Sequence, residues 1–228
     1  MAYRRYKRES YGENYKRLRR KFKKYSAGGS TMARYGGYAL KAWNLAKMLK
    51  GLINTESKYG DSGIQTLTPT NAGGVSYLSG LAQGLTNITR VGNSILAKSI
   101  LLNIQCVINA SATNTVVRLV LFVDHDNQGA TPAVTDLIQS ADARAFINRV
   151  NGKRFSVLKD WQYVLNTSTG AQQNDKVFLR LAHHIKYSGT DAAIGSQLQG
   201  AMFLMVISDQ ATNTPTVIYN SRLRYIDN

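Results

Sequence analysis

The chain has 228 residues, with 29 Lys and Arg against 13 Asp and Glu and a net charge of +16; the length allows one large all-β domain or two small ones. One cysteine, Cys106, excludes an intramolecular disulfide and a cysteine-based zinc site. No run approaches the ~18 apolar residues of a membrane-spanning helix, and the N-terminus lacks the apolar core of a secretory signal.

The charge is uneven. Residues 1–50 hold 15 basic residues against 2 acidic, and residues 51–228 hold 14 against 11, so a body of +3 carries an arm of +13. A nearly neutral body with a polybasic arm suits a nucleic-acid binder or a membrane-surface binder, not a uniformly basic enzyme. The basic residues of the first stretch are Arg4, Arg5, Lys7, Arg8, Lys16, Arg17, Arg19, Arg20, Lys21, Lys23 and Lys24, opposed only by Glu9 and Glu13. Such a density opposes compaction until a polyanion neutralises it. Tyr11, Tyr15, Leu18, Phe22 and Tyr25 recur at spacings of three and four, which predicts a helix over 13–25 with these residues on one face; Ala27–Ser30 then acts as a hinge. Tyr3, Tyr6 and Tyr15 are interleaved with the cations, as suits unpaired bases that stack on rings while Lys and Arg track phosphates. The same rings can equally pack on the protein's own surface. The clusters Arg4–Arg8 and Lys16–Lys24 also read as a nuclear import signal.

Residues 38–53 form a second helix candidate, with a narrow polar stripe of Lys41, Asn44, Lys47 and Lys50 and apolar residues elsewhere. It must be buried, and packing against protein is favoured over membrane insertion. Residues 1–63 therefore read as a basic, partly helical arm ending in a turn-rich linker, Asn54–Gly63. From Ile64 the texture becomes β. Strands are predicted at Ile64–Thr68, Val75–Leu78, Ile95–Ile108, Thr115–Asp124, Phe155–Asn166, Lys176–Tyr187, Ala201–Ser208 and Thr216–Ile226, with one short helix at Ala133–Ser140. Residues 115–124 are almost continuously apolar, as in a strand covered on both sides. The expectation is an all-β fold: an eight-stranded antiparallel jelly-roll sandwich over residues 64–228.

Chemistry is sparse. Asp124–His125–Asp126 ends a strand, and its carboxylates Asp124 and Asp126 are the one candidate for a structural calcium; the ordinary reading is a solvated loop. His183 and His184 are adjacent in a strand and point to opposite faces, so they do not chelate together. Cys106 behaves as a small hydrophobe. No nucleophile-elbow, zincin, P-loop or dinucleotide motif is present, so the sequence points away from catalysis and from a cofactor.

The order of these features, with TRVGNSILAKSILLNI (Thr89–Ile104), VVRLVLFVDHDNQGATPAVTDLI (Val116–Ile138), NRVNGKRFSVLKDWQYVL (Asn148–Leu165) and TVIYNSRLRYID (Thr216–Asp227), resembles the capsid proteins of small circular Rep-encoding single-stranded DNA (CRESS-DNA) viruses of eukaryotes. Within them it is most similar to the branch whose shell domain resembles that of satellite tobacco necrosis virus. The resemblance implies a single jelly roll, sixty copies in a T=1 icosahedral shell, and the arm's basic residues on a single-stranded DNA genome. It also implies residence in the virion, with assembly in the host nucleus. Stacking and phosphate contacts serve RNA as well as DNA. A cellular nucleic-acid-binding sandwich that forms no shell is the alternative.

Overall fold

The computed structural model describes residues 57–227. Nine strands run β1 Ser57–Leu67, β2 Gly74–Tyr77, β3 Ser94–Val107, β4 Asn114–Asp124, β5 Phe155–Asn166, β6 Gln172–Tyr187, β7 Gln197–Gln199, β8 Ala201–Ser208 and β9 Thr216–Asp227. They form a five-stranded sheet in the order β1-β9-β3-β6-β7 and a four-stranded sheet in the order β2-β8-β4-β5, antiparallel throughout. Leaving aside the three-residue β7, first pairs with last, second with second-to-last, and so inward to the β4–β5 pair. This is a long hairpin rolled into two sheets, the jelly roll.

Alternation decides the core. From the four-stranded sheet, Val117, Leu119, Leu121, Val123, Met202, Leu204 and Val206 face the other sheet, where Ile95, Ile100, Leu102, Ile104 and Cys106 of β3 meet them. Burial pushes the Cys106 thiol up to about 12, so it packs as an apolar side chain. The opposite faces of β4 and β8 are apolar too: Val120, Phe122, Phe203, Met205 and Ile207 build a second core with Leu137, Ile138, Ala143 and Phe155. Phe122 stacks on Phe203 at 5.5 Å between centroids and meets Phe155 edge-on. The covering layer is the β4–β5 connection, which holds the one-turn helix α1, Val134–Leu137, and an isolated bridge between Ile138 and Ile147. The apolar run at 115–124 thus reflects a strand buried on both sides.

Two arginines fasten that layer. Arg118, on the second-core face of β4, forms a two-pronged pair with Asp160 (Nε–Oδ1 2.9 Å, Nη2–Oδ2 2.6 Å) and donates to the carbonyls of Ala143 and Ala145. Arg154 grips the fully buried Asp124 in the same way, at 2.9 and 2.7 Å. A third arginine, Arg90, is fully buried with no carboxylate partner. It donates to the carbonyls of Leu81, Gly92 and Gly189 and lies over the Tyr187 ring, tying the β2–β3 loop to the β6–β7 loop.

The helix expected at Ala133–Ser140 is the single turn Val134–Leu137, the short β7 makes nine strands where eight are expected, and two strand starts differ by four residues or more from the sequence reading. The stretch taken as a linker, Asn54–Gly63, is strand from Ser57 onward. It is an edge strand, and its register on β9 shifts between Asp61 and Ile64, where Gly63 takes φ 69°. A bulged edge strand tolerates the Gly, Asp and Ser residues that mark a turn elsewhere. Strand β6 begins at Gln172, four residues before the predicted Lys176, because the polar run QQND pairs fully with β3.

Arg118→Met leaves Asp160 and two carbonyls without their donor. It is expected to destabilise the subunit by about 2–3 kcal/mol, read as a lower urea midpoint for the full chain held below its assembly concentration. An unchanged midpoint means that the covering layer is held by its apolar contacts alone.

Candidate nucleic-acid interface

The arm residues proposed to meet nucleic acid, from Tyr3 to Lys24, and both helix candidates, 13–25 and 38–53, lie outside the described residues. The described part carries a basic surface of its own. The four-stranded sheet has its second face covered. Among the described residues nothing covers the outward face of the five-stranded sheet, and that face can be read from the register. Tyr59, Arg224, Ser99 and Arg180 form one cross-strand row; Asp61, Arg222, Leu101 and Phe178 form the next; Ile64, Asn220, Asn103 and Lys176 form a third. Lys186 follows at one end, opposite Ser94, and Lys98 is exposed at the bulge between Ala97 and Ser99.

Six cations thus share this face with one carboxylate. Asp61 is taken by Arg222 through two bonds of 2.7 Å, and the Arg222 guanidinium lies over Tyr59. That pairing holds the Asp61 carboxyl below its ordinary range. Lys98, Lys176, Arg180, Lys186 and Arg224 meet no carboxylate among the described residues. Residues 57–227 hold 14 Lys and Arg against 10 Asp, so the rest of the body keeps eight cations against nine acids. A body that sums to near neutrality is therefore polarised, with its positive potential on one sheet face. Asp175 on β6 directs its carboxylate inward: it stands opposite Ile104 and accepts the Tyr163 hydroxyl at 2.6 Å.

The calcium candidate is not assembled as a cation site. Both Asp124 oxygens accept from Arg154, and Oδ1 also accepts the Asp126 amide. Asp126 Oδ1 accepts from Gln128 Nε2 at 2.9 Å. Among the described residues no three His, Cys, Asp or Glu side chains converge. A fully buried carboxylate at the end of a strand needs a counter-charge, and thirty residues on the chain supplies it as Arg154. His125 hydrogen-bonds Ser156 Oγ at 2.7 Å, and its ring meets His183 edge-on at 5.5 Å. His183 and His184 take opposite faces as expected, His183 half-buried with Nε2 donating to the Gly200 carbonyl, His184 exposed. Gly200 has φ 77°, and a β-carbon there would lie 2.7 Å from His183 Nε2.

Two sheets rolled from one hairpin, with one outer face sealed and the other bare and basic among the described residues, make a single jelly-roll domain of the kind that viral shells use. The chain belongs to the satellite tobacco necrosis virus coat protein family, whose model matches residues 45–228; it is a viral capsid protein. It is 30% identical to the capsid protein of Satellite tobacco necrosis virus 1 over 169 residues, covering 72% of this chain and 84% of that one. It is also 30% identical to the coat protein of Satellite tobacco necrosis virus 2 over 165 residues, covering 68% and 80%. Among solved structures, that of Desmodium yellow mottle tymovirus aligns over 76% of this chain and 88% of its own, with a TM-score of 0.38 and 11% identity. The expected branch is thus the family found; the wider placement among circular DNA viruses is not supported by these relatives.

Two outcomes are expected. Replacing Arg180, Lys186 and Arg224 by Ala should flatten the dependence of log K on log salt for a single strand by about 2, since each neutralised phosphate contributes roughly 0.7; an unchanged slope in a filter-binding titration removes this face from the phosphate contact. The second concerns pH. Burial pulls the His183 pKa down, against its bond to Gly200, and the neighbouring His125 and His184 pull the same way. The fold therefore favours neutral His183. Its contribution is complete above the unfolded value of about 6.5 and is lost as pH falls through the lower folded value. The carboxyl of Asp61, held low by Arg222, loses its smaller contribution only further down, below about 4. Between pH 7.5 and 5 the urea midpoint should fall, and it should fall less in His183→Gln.

Proposed function

We propose that this capsid protein assembles into a small closed icosahedral shell of about sixty copies. Its arm and the bare face of its five-stranded sheet line the interior and neutralise a packaged single-stranded genome. The observation that carries the reading is the sorting of charge by face: six cations share one sheet face with a single carboxylate, and that sheet's edge strand begins where the basic arm ends. The chain enters β1 at Ser57, in the register row of Ile226, Leu96 and His184, next to the end where Arg180, Arg224 and Lys186 stand. Residues 1–56 act as the packaging arm and the sandwich as the shell wall, with Tyr3, Tyr6 and Tyr15 stacking bases among the arm's cations.

Leu85, Phe146 and Val150 are 89%, 79% and 90% exposed. Large apolar side chains this bare on loops suit burial between copies. At about sixty copies, the +13 of residues 1–50 supplies on the order of 800 charges, each phosphate contact releasing a counterion. The cargo taken from the resemblance is single-stranded DNA, with Arg4–Arg8 and Lys16–Lys24 directing nuclear assembly; RNA satisfies the same contacts.

Negative-stain microscopy of the purified chain, with the 260/280 nm absorbance ratio and DNase and RNase sensitivity of the extracted nucleic acid, tests this. Uniform small shells holding a nuclease-defined single strand are expected. A chain beginning at Thr55 should keep its β-rich circular dichroism and lose most of the bound nucleic acid. Monomers or dimers that bind strands without closing, across salt and pH, overturn the shell; full loading after the truncation overturns the role of the arm.

A further inference from the structure

The bare face is not uniform along its length. At the end away from Lys186, carboxamides replace cations. Asn103 stands opposite Asn220 on one side and Lys176 on the other; two residues along, Gln105 stands opposite Ile218 and Asn174. With Ile64, these carboxamides line a depression of about 460 Å³, within the range of about 300–1,000 Å³ typical of small-molecule pockets. Among the described residues the amides of Asn103, Gln105 and Asn220 have no side-chain hydrogen bond, while Asn174 Oδ1 accepts from Gln172. Each carboxamide offers two donors and an acceptor. One register row away, Phe178 is 55% exposed. On its own strand it lies between Lys176 and Arg180, which point to the same side.

These three chemistries in adjacent rows match the parts of one nucleotide. A bare ring offers a stacking surface, flanking cations take phosphates, and amides without partners complement the polar edge of a base. In a duplex that edge is already paired, so the match is to an unpaired base. A purely electrostatic lining needs neither the ring nor the amides, since phosphate contacts carry no base information. We propose that the depression beside Phe178 holds an unpaired base of the packaged strand, stacked on Phe178 and hydrogen-bonded by Asn103, Gln105 and Asn220, with its phosphates on Lys176 and Arg180. This rests on the reading above that the bare face meets the cargo.

The test uses full-length shells reassembled on 20-nucleotide strands. One strand carries bases throughout, one is abasic with the same phosphate count, and one carries 5-iodouracil for photocrosslinking. The triple variant Phe178→Ala, Asn103→Ala, Gln105→Ala should still assemble, because all three side chains stand on the outward face. It should lose roughly 5- to 10-fold in affinity for the base-bearing strand and keep its affinity for the abasic strand and its salt slope. Phe178→Tyr should retain the wild-type ratio. Photocrosslinks in the wild type should include the peptide spanning Val177–Arg180. Crosslinks confined to the arm tyrosines overturn the cargo-facing assignment of the sheet and this proposal with it. Crosslinks on that peptide with an unchanged base-to-abasic ratio in the triple variant overturn the base pocket alone. Loss of assembly in Phe178→Ala that Phe178→Tyr restores shows the ring to be a subunit contact, and the proposal fails.

Discussion

A sandwich of two sheets has four faces, and the chain has enough apolar residues to seal three of them. Two close on each other. The third, on β4 and β8, is as apolar as the first two, with Val120, Phe122, Phe203, Met205 and Ile207 in place of the polar residues that alternate outward in most antiparallel sheets. At about 25 cal/mol per Å², exposing that set to water would remove much of a typical domain's net stability. The β4–β5 connection must therefore lie over it. The fourth face has no such cover among the described residues, and its composition answers to water and to whatever charge approaches it.

The electrostatics follow from this division. On the sealed side the cations that enter are paired: Arg118 with Asp160, Arg154 with Asp124. Burial makes an unmatched charge there costly. Arg90 shows the other solution, a buried guanidinium shared among backbone carbonyls and laid on a ring. On the bare side water solvates a cation at little cost, so lysines and arginines stand unpaired without penalty. A near-neutral total is thus the sum of a matched half and an unmatched one.

Much of this was legible in the sequence, and what was missed shares a cause. Strands β4 and β8 are legible almost to the residue, because apolar pattern is the signal and both are buried on two faces. The pairing order followed only from the likeness to other shells. The edge strand β1 was read as linker because Gly60, Asp61, Ser62 and Gly63 have turn chemistry, and a bulged edge uses the same residues. The first four residues of β6 escape for the same reason: Gln172–Asp175 have no apolar period, yet they pair with β3 and bring Asn174 to the amide end of the bare face. Asp124 and Asp126 looked like ligands because sequence proximity hides a partner thirty residues away. The basic face was invisible for a plainer reason: Lys98, Lys176, Arg180, Lys186, Arg222 and Arg224 are scattered over three strands and converge only through the register.

In the proposed shell, that convergence would give the two basic parts of the chain different work. Neutralising a polymer of phosphates needs many charges and little geometry, since each contact is worth its counterion release wherever it forms. A run such as Lys16–Lys24 has what this requires. Contact with a base needs the opposite: few groups, held within fractions of an ångström by elements that do not yield. Strands β3 and β9 have that property, being paired on both sides along most of their length, and β6 is paired to β3 from Gln172 to Lys186; Ile100, Leu102 and Leu223 pack beneath them. The ring and the amides therefore belong on the sheet, and the bulk of the charge belongs to the arm. Such a shell would hold its cargo by charge in general and, at one patch per subunit, by the bases that the cargo leaves unpaired.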